Sequence, residues 1–169
     1  MRRLLTPVRL TAALATAAFA ACSTPGEPAR SSPLAATWYT DAEPLGSGGA
    51  TTEVLWFDAG GRFTYIVTTY PQYPVVAGTA ATGVRTTGRY TTSVGGGLTF
   101  VAESLVTVAF DPGGGGRTVA QTPYPYTTGP FDGARYEVTD RTLTIRYTTY
   151  PADAPVAATR VFQKLPQID

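Results

Sequence analysis

Apolar and polar residues alternate along most of the chain from Ala36 onward, and this period of two is typical of β-strands. In one segment Phe63, Tyr65 and Val67 fall on one face, with threonines and an isoleucine on the other. This pattern is typical of a sheet with one buried face and one solvent-exposed face. The alternation predicts eight strands, close to Ala36–Thr40, Thr51–Phe57, Arg62–Tyr70, Thr82–Thr92, Leu98–Phe110, Arg135–Thr139, Thr142–Tyr150 and Ala158–Lys164.

The longest of these segments carries an extended apolar stripe. One side of this predicted strand holds Leu98, Phe100, Ala102, Ser104, Val106 and Val108.

Short and long connections alternate between the strands. Asp58–Gly61, Ser93–Gly97 and Asp140–Arg141 are typical of tight turns. In an up-and-down meander alternate connections lie at opposite ends, so tight turns close one end and long loops surround the other. We therefore predict an all-β domain, residues 36–169, that is an antiparallel up-and-down barrel of about eight strands. The long connections are Asp41–Ala50, Pro71–Ala81, Asp111–Ala134 and Pro151–Ala157.

The connection after the longest strand allows two arrangements. Val106–Phe110 and Arg117–Gln121 can pair as a hairpin of their own, which would reverse the strand parity and send Tyr124–Phe131 to the other end. Alternatively, the whole segment is an excursion within one long loop. We favour the second arrangement because the three tight turns then fall together.

The N-terminus has the features of an export signal. Three arginines within Met1–Arg9 precede the uncharged run Leu10–Ala21, which is too short to cross a bilayer. Residues 1–21 are therefore predicted to be a signal peptide. Residues 22–35 are polar and rich in proline, which predicts a flexible tether.

Charge and cysteine content exclude several classes of function. The chain has 13 basic and 12 acidic residues, and three of the basic ones (Arg2, Arg3 and Arg9) lie in the signal segment. The remaining ten basic residues are scattered, so no nucleic-acid partner is expected. One cysteine cannot form an internal disulfide.

The end of the signal segment, Phe19-Ala20-Ala21-Cys22-Ser23, resembles a bacterial lipobox. The resemblance implies that Cys22 becomes the mature N-terminus and carries acyl chains that hold the protein on a membrane. It also implies a cell-envelope location, at the outer membrane if the host has one, because Ser23 is not aspartate. Ordinary cleavage after Ala18-Phe19-Ala20 would instead leave Cys22 as a free thiol.

The rest of the chain resembles the lipocalin-like domains of bacterial lipoproteins. The resemblance implies a barrel that binds a ligand, with Trp38 closing one end and Arg160 packed on it, although Trp38 can equally be a core anchor. The residues that carry it are Ala36-Thr37-Trp38, Leu55 through Phe63, Gly88-Arg89-Tyr90, Tyr136, Leu143-Thr144-Ile145 and Phe162-Gln163-Lys164-Leu165.

The missing residue types restrict the chemistry. Without histidine the chain has no Ser-His-Asp or Cys-His catalysis, and it lacks the commonest nitrogen ligand of zinc and copper. Paired carboxylates could still act as acid and base, but the aspartates fall in turn contexts that favour them for local hydrogen bonds. We therefore predict a protein that is not an enzyme and has no metal or cofactor.

Two sets of side chains are candidates for binding. Apolar and aromatic residues of the barrel interior could hold a small apolar or amphipathic ligand, namely Trp38, Phe63, Tyr65, Tyr90, Phe100, Tyr136, Ile145 and Tyr147. Tyrosines beside prolines in the long loops could contact an envelope protein or inhibit it, or could simply cover the barrel edge. These rim tyrosines are Tyr70, Tyr73, Tyr124, Tyr126 and Tyr150.

Overall fold

The structure is a computed structural model that describes residues 32–76, 78–110, 116–122 and 129–166, with the backbone alone for 116 and 118–122. Ten strands and one 3-10 turn, Pro151–Asp153, make up the regular structure of these residues. The strands are β1 (Ala36–Tyr39), β2 (Glu43–Pro44), β3 (Ala50–Phe57), β4 (Arg62–Tyr70), β5 (Ala81–Ser93), β6 (Gly97–Phe110), β7 (Gly116–Thr122), β8 (Asp132–Val138), β9 (Thr142–Thr149) and β10 (Val156–Lys164).

The strands form a closed antiparallel barrel. Starting at β1, the sheet passes through β10, β9, β8, β6, β5, β4 and β3, and β3 pairs back onto β1. The ring therefore has eight strands, and the predicted up-and-down barrel is confirmed. The two-residue β2 continues beside β3 beyond the end of β1, and β7 pairs with β6 outside the ring.

The three tight turns lie at one end of the barrel, as predicted, and we call it the tight-turn end. Each turn is tied to the neighbouring strand: the amide of Tyr90 donates to the carbonyl of Gly61 at 2.8 Å, and that of Tyr136 donates to Gly96 at 2.8 Å. The described chain also begins and ends here, because the amide of Leu165 donates to the carbonyl of Thr37 at 2.9 Å. The described residues of the connections Asp41–Ala50, Pro71–Ala81 and Pro151–Ala157 lie at the opposite end, which we call the long-loop end.

Both arrangements considered for the segment after β6 are partly right. β7 does pair with β6, from Phe110–Gly116 to Leu105–Thr122, so the hairpin forms. The parity of the ring nevertheless does not change, because β8 also runs antiparallel to β6 and pairs with it at Gly97–Arg135. The three tight turns therefore stay together at one end.

A β-bulge corrects the predicted stripe on β6. The register moves from Thr87–Ser104 to Gly88–Ala102, which leaves Glu103 without a partner on β5. An extra residue in a strand reverses the face of everything after it. Leu98, Phe100 and Ala102 face inward as predicted, but Ser104, Val106 and Val108 lie on the opposite face, which the alternation alone could not reveal.

The half of the barrel nearest the tight-turn end is packed solid. Its largest fully buried side chains include Trp38, Phe57, Phe63 and Phe162, which are at most 1% exposed. Phe131, which precedes β8, packs in the middle against the rings of Phe100, Tyr65, Tyr147 and Phe162, with centroids 4.9 to 6.3 Å away.

Gly129 allows this central ring to enter the barrel. A Cβ at Gly129 would overlap the Cβ of Phe100, so only glycine permits the chain to pass so close to β6. The chain at Gly129, two residues before Phe131, is therefore packed directly against β6.

Candidate functional site

The inner surface near the long-loop end is more open than the packed half. The register places Val67, Val84 and Thr107 side by side on the inward face, and Leu105 lies beside Thr86 on the same face. Thr86 is buried, but Val67, Leu105 and Thr107 are partly exposed, and Val84 keeps 40% of its surface accessible. We call this inner surface the cup and define it by Val67, Val84, Leu105, Thr107, Tyr147 and Ala158.

A cluster of four polar and charged side chains lies at the base of the cup. Arg160 of β10 contacts two carboxylates: one terminal nitrogen lies 2.8 Å from Glu43, and the other lies 2.9 Å from Glu53. The hydroxyl of Tyr65 donates a hydrogen bond to the second oxygen of Glu53 at 2.8 Å. We call Glu43, Glu53, Tyr65 and Arg160 the Arg160 cluster.

The strands explain how these residues meet. Glu53 belongs to the inward set of β3 with Leu55 and Phe57, and Arg160 belongs to the inward set of β10 with Phe162. β1 pairs with β10 only at Trp38–Lys164 and Tyr39–Gln163. Toward the long-loop end the two strands no longer pair, which leaves a seam in the wall. The ion pairs of Arg160 connect β10 to β2 and β3 across this seam.

Burial and neighbouring charges fix the protonation of two members of the cluster, Tyr65 and Arg160. Burial raises the pKa of Tyr65, and the negative charge and hydrogen bond of Glu53 raise it further, so the phenol stays a neutral donor. Burial alone would lower the pKa of Arg160, but the charge of Glu53 and the hydrogen bond to Glu43 outweigh it and leave the pKa raised. The guanidinium is therefore permanently charged.

The cluster has polar capacity left for a ligand. The Arg160 side chain keeps 28% of its surface accessible, although its Nε, which has no hydrogen-bond partner among the described residues, is itself buried. The carboxylate of Glu43 is 54% exposed. The arrangement can therefore hold a polar group of a ligand, while the aromatic and aliphatic walls of the cup contact an apolar part.

The predicted interior candidates separate into two groups. Trp38, Phe63, Phe100 and Ile145 are at most 3% exposed and Tyr90 is 7% exposed, so their side chains belong to the packed core. The Tyr90 hydroxyl donates to the carbonyl of Asp58 at 2.8 Å. Tyr65, Tyr136 and Tyr147 are partly buried, and of these Tyr65 and Tyr147 border the cup.

The expected contact between Trp38 and Arg160 is wrong. Lys164, which pairs with Trp38 across β1 and β10, lies over the indole ring at 5.8 Å. Arg160 is four residues earlier in β10 and is engaged by the two glutamates. Trp38 does close the tight-turn end, where its Nε1 donates to the carbonyl of Leu34 at 2.9 Å.

The described rim tyrosines lie at the long-loop end. Tyr70 ends β4, and the Tyr73 amide donates to the carbonyl of Gly48 in the neighbouring loop at 2.9 Å. Tyr73 and Tyr150 are 50% and 54% exposed, and the Tyr150 hydroxyl donates to Asp132 at 2.8 Å. Further exposed apolar side chains at this end are Leu45, Val76 and Val156.

Several predicted features lie outside the described residues. They are the signal peptide, Cys22, the tether up to residue 31, Tyr124 and Tyr126.

Sequence reasoning missed Glu43 and Glu53. A signal was present for Glu53, because it occupies an inward position two residues before Leu55, where a charge requires a partner. The residue that supplies this partner is 107 positions away in sequence, so only the closed ring brings the two together.

Comparison of the chain with protein-family models, with curated proteins and with solved structures found no match in any of the three. Within the described ranges, no group of three or more cysteine or acidic side chains is placed to hold a metal ion. No described residue belongs to a helix with the length and apolarity that a bilayer crossing requires.

Proposed function

We propose that this protein is an envelope lipoprotein, anchored through Cys22, whose barrel binds a small apolar or amphipathic ligand in the cup. The observation that carries the binding proposal is the contrast between the two halves of the barrel. The inward side chains near the tight-turn end are mostly buried, whereas four inward side chains near the long-loop end remain partly exposed, namely Val67, Val84, Leu105 and Tyr147. Pockets lined by apolar side chains with a few polar groups are the usual sites for small ligands.

A filling substitution tests the cup. Val84→Phe adds bulk to the inward face between Val67 and Thr107, and we expect it to weaken binding of the neutral apolar probe N-phenyl-1-naphthylamine at least tenfold. Val101→Phe is the matched control, because Val101 is an equally exposed strand valine (42% against 40%) on the outer wall. Fluorescence titration gives both affinities. Equal probe affinity in the two variants would contradict a site in the cup.

A second function, recognition of an envelope protein by the rim, is supported by a separate observation. Tyr73 and Tyr150 present half of their surfaces at the long-loop end, and Leu45, Val76 and Val156 are exposed near them. Aromatic side chains on ordered loops are common anchors of protein interfaces. Native mass spectrometry of protein purified from its own host separates the two functions, since a small bound molecule favours the cup and a stoichiometric protein partner favours the rim.

Changing Tyr73 and Tyr150 together to alanine tests the rim directly. Loss of a co-purifying protein would support the second function, and its unchanged recovery would exclude these two side chains as anchors.

The anchor has its own test. The Cys22→Ser variant should be released from the membrane fraction, because each buried CH₂ of an acyl chain contributes about 0.8 kcal/mol to membrane binding. Continued membrane association of Cys22→Ser would contradict lipidation as the anchor.

A further inference from the structure

The tight-turn end carries exposed apolar side chains that the barrel does not use. Val94, in the turn between β5 and β6, is fully exposed. Trp56, at the end of β3, is 42% exposed, and Leu165, after β10, is 50% exposed. We call these three residues the apolar tips. A tryptophan beside aliphatic residues is the combination that proteins use at membrane–water interfaces.

The described chain enters the barrel at this same end. The Leu34 side chain is fully buried there, and the amide of Ala35 donates to the carbonyl of Ser32 at 2.8 Å, which fixes the entry point. Ser32 is only ten positions after Cys22 in the sequence. A chain of this length spans at most about 36 Å when fully extended. An acylated Cys22 would therefore hold the tight-turn end close to the bilayer.

We propose that the tight-turn end docks on the surface of the lipid bilayer through the apolar tips. The inference rests on the proposed lipid anchor, because the short tether converts a weak surface contact into an intramolecular one with a high effective concentration. Docking leaves the cup and the rim at the long-loop end directed away from the membrane.

The charges at the tight-turn end are nearly balanced, so the apolar tips carry the contact. Arg62 and Arg89 both pair with Glu103, at 3.0 and 2.9 Å, which leaves one net positive charge in this group. Lys164 and Asp58, which line the same surface as Leu165, are of opposite charge. Arg141 follows Asp140 in the turn between β8 and β9, where the two charges offset each other. Electrostatic attraction to anionic lipids is therefore small, and docking is expected on neutral phosphatidylcholine.

The two tryptophans make the proposal directly measurable. Trp38 is fully buried, whereas Trp56 is one of the tips. The lipidated protein is reconstituted into phosphatidylcholine vesicles whose acyl chains are brominated near the headgroup. We expect at least a 30% loss of tryptophan fluorescence relative to unbrominated vesicles, and we expect Trp56→Phe to abolish this loss because only the shielded Trp38 remains.

Vesicle flotation, measured on the same samples, separates the anchor from the docking. Flotation with quenching supports both proposals. Flotation without quenching would overturn docking and leave the anchor intact, whereas protein that stays at the bottom of the gradient would overturn the anchor and docking together.

A charge placed on a tip supplies a variant that does not disturb folding. Val94→Asp changes a fully exposed turn residue and should at least halve the quenching while flotation is unchanged. Val156→Asp is the control, since Val156 is 45% exposed at the long-loop end. Equal quenching in the two variants would overturn the assignment of Val94 to the docking surface.

Discussion

Glu53 combines burial with two partners, so its carboxylate is expected to stabilise the barrel. Its side chain is 8% exposed, accepts the hydroxyl of Tyr65 and pairs with Arg160. Glu53→Ala leaves both partners without this acceptor, and we expect a loss of about 2–4 kcal/mol in the free energy of unfolding. Urea denaturation of the two proteins measures the difference.

Glu103→Ala is the control for this prediction. Glu103 also contacts two arginines, but its side chain is 39% exposed, so the loss should stay below about 1 kcal/mol. Similar losses in the two variants would contradict the importance of burial at Glu53.

The raised pKa of Tyr65 makes stability depend on alkaline pH. A phenol whose pKa is higher in the folded than in the unfolded protein contributes stability that is complete below the unfolded value near 10. This contribution is lost progressively as the pH rises above about 10, because the unfolded chain releases the proton first. The free energy of unfolding of the wild-type protein should therefore fall steeply between about pH 10 and 11.

Tyr65→Phe should be about 1 kcal/mol less stable at pH 7, because it lacks the hydrogen bond to Glu53. Its free energy of unfolding should also decrease less steeply than that of wild type above about pH 10. Tyr150→Phe is the comparison, since the hydrogen bond to Asp132 also raises the pKa of Tyr150 but the side chain is exposed. If the free energy of unfolding of Tyr65→Phe decreased with pH as steeply as that of wild type, Tyr65 would not be the group responsible for the loss of stability at alkaline pH.

At the scale of the strands, the wall of the barrel is not uniform. β4, β5 and β6 pair along most of their lengths, whereas β1 and β10 pair at only two positions, and β6 and β8 at one. Amide exchange should therefore be slowest in β5 and fastest, among strand residues, at these two seams. Hydrogen exchange followed by NMR or mass spectrometry checks this order, and uniform protection around the ring would contradict it.

The strands that the sequence predicted correctly are those with a regular alternation. Phe63, Tyr65 and Val67 keep one face because nothing interrupts β4, so a period of two is sufficient to assign their direction. The two-residue β2 was missed because Glu43 and Pro44 have no alternation to detect. β7 was predicted only as an alternative, because local alternation does not indicate whether β6 pairs with β7, with β8 or with both.

The part of the site that escaped prediction depends on contacts between distant strands. The bulge at Glu103 reverses the faces of β6, and no residue type in that segment marks it. The Arg160 cluster joins β2, β3, β4 and β10, which meet only after the ring has closed. Sequence alternation indicates which residues face inward, but it does not indicate which inward residues face each other.

At the scale of the whole molecule, the closed ring brings the two ends of the described chain together. Leu165 bonds to Thr37, and Lys164 bonds to the turn residue Arg141 at 2.8 Å. A circular permutant that joins residue 166 to residue 32 through a short glycine–serine linker, with new termini at Gly95, should therefore fold with a loss of at most about 2 kcal/mol. A permutant cut at Phe131 should fail to fold, because that cut interrupts the chain at the residue whose aromatic side chain fills the barrel centre. Circular dichroism and urea denaturation measure both, and failure of the Gly95 permutant to fold would contradict the observed closure between β1 and β10.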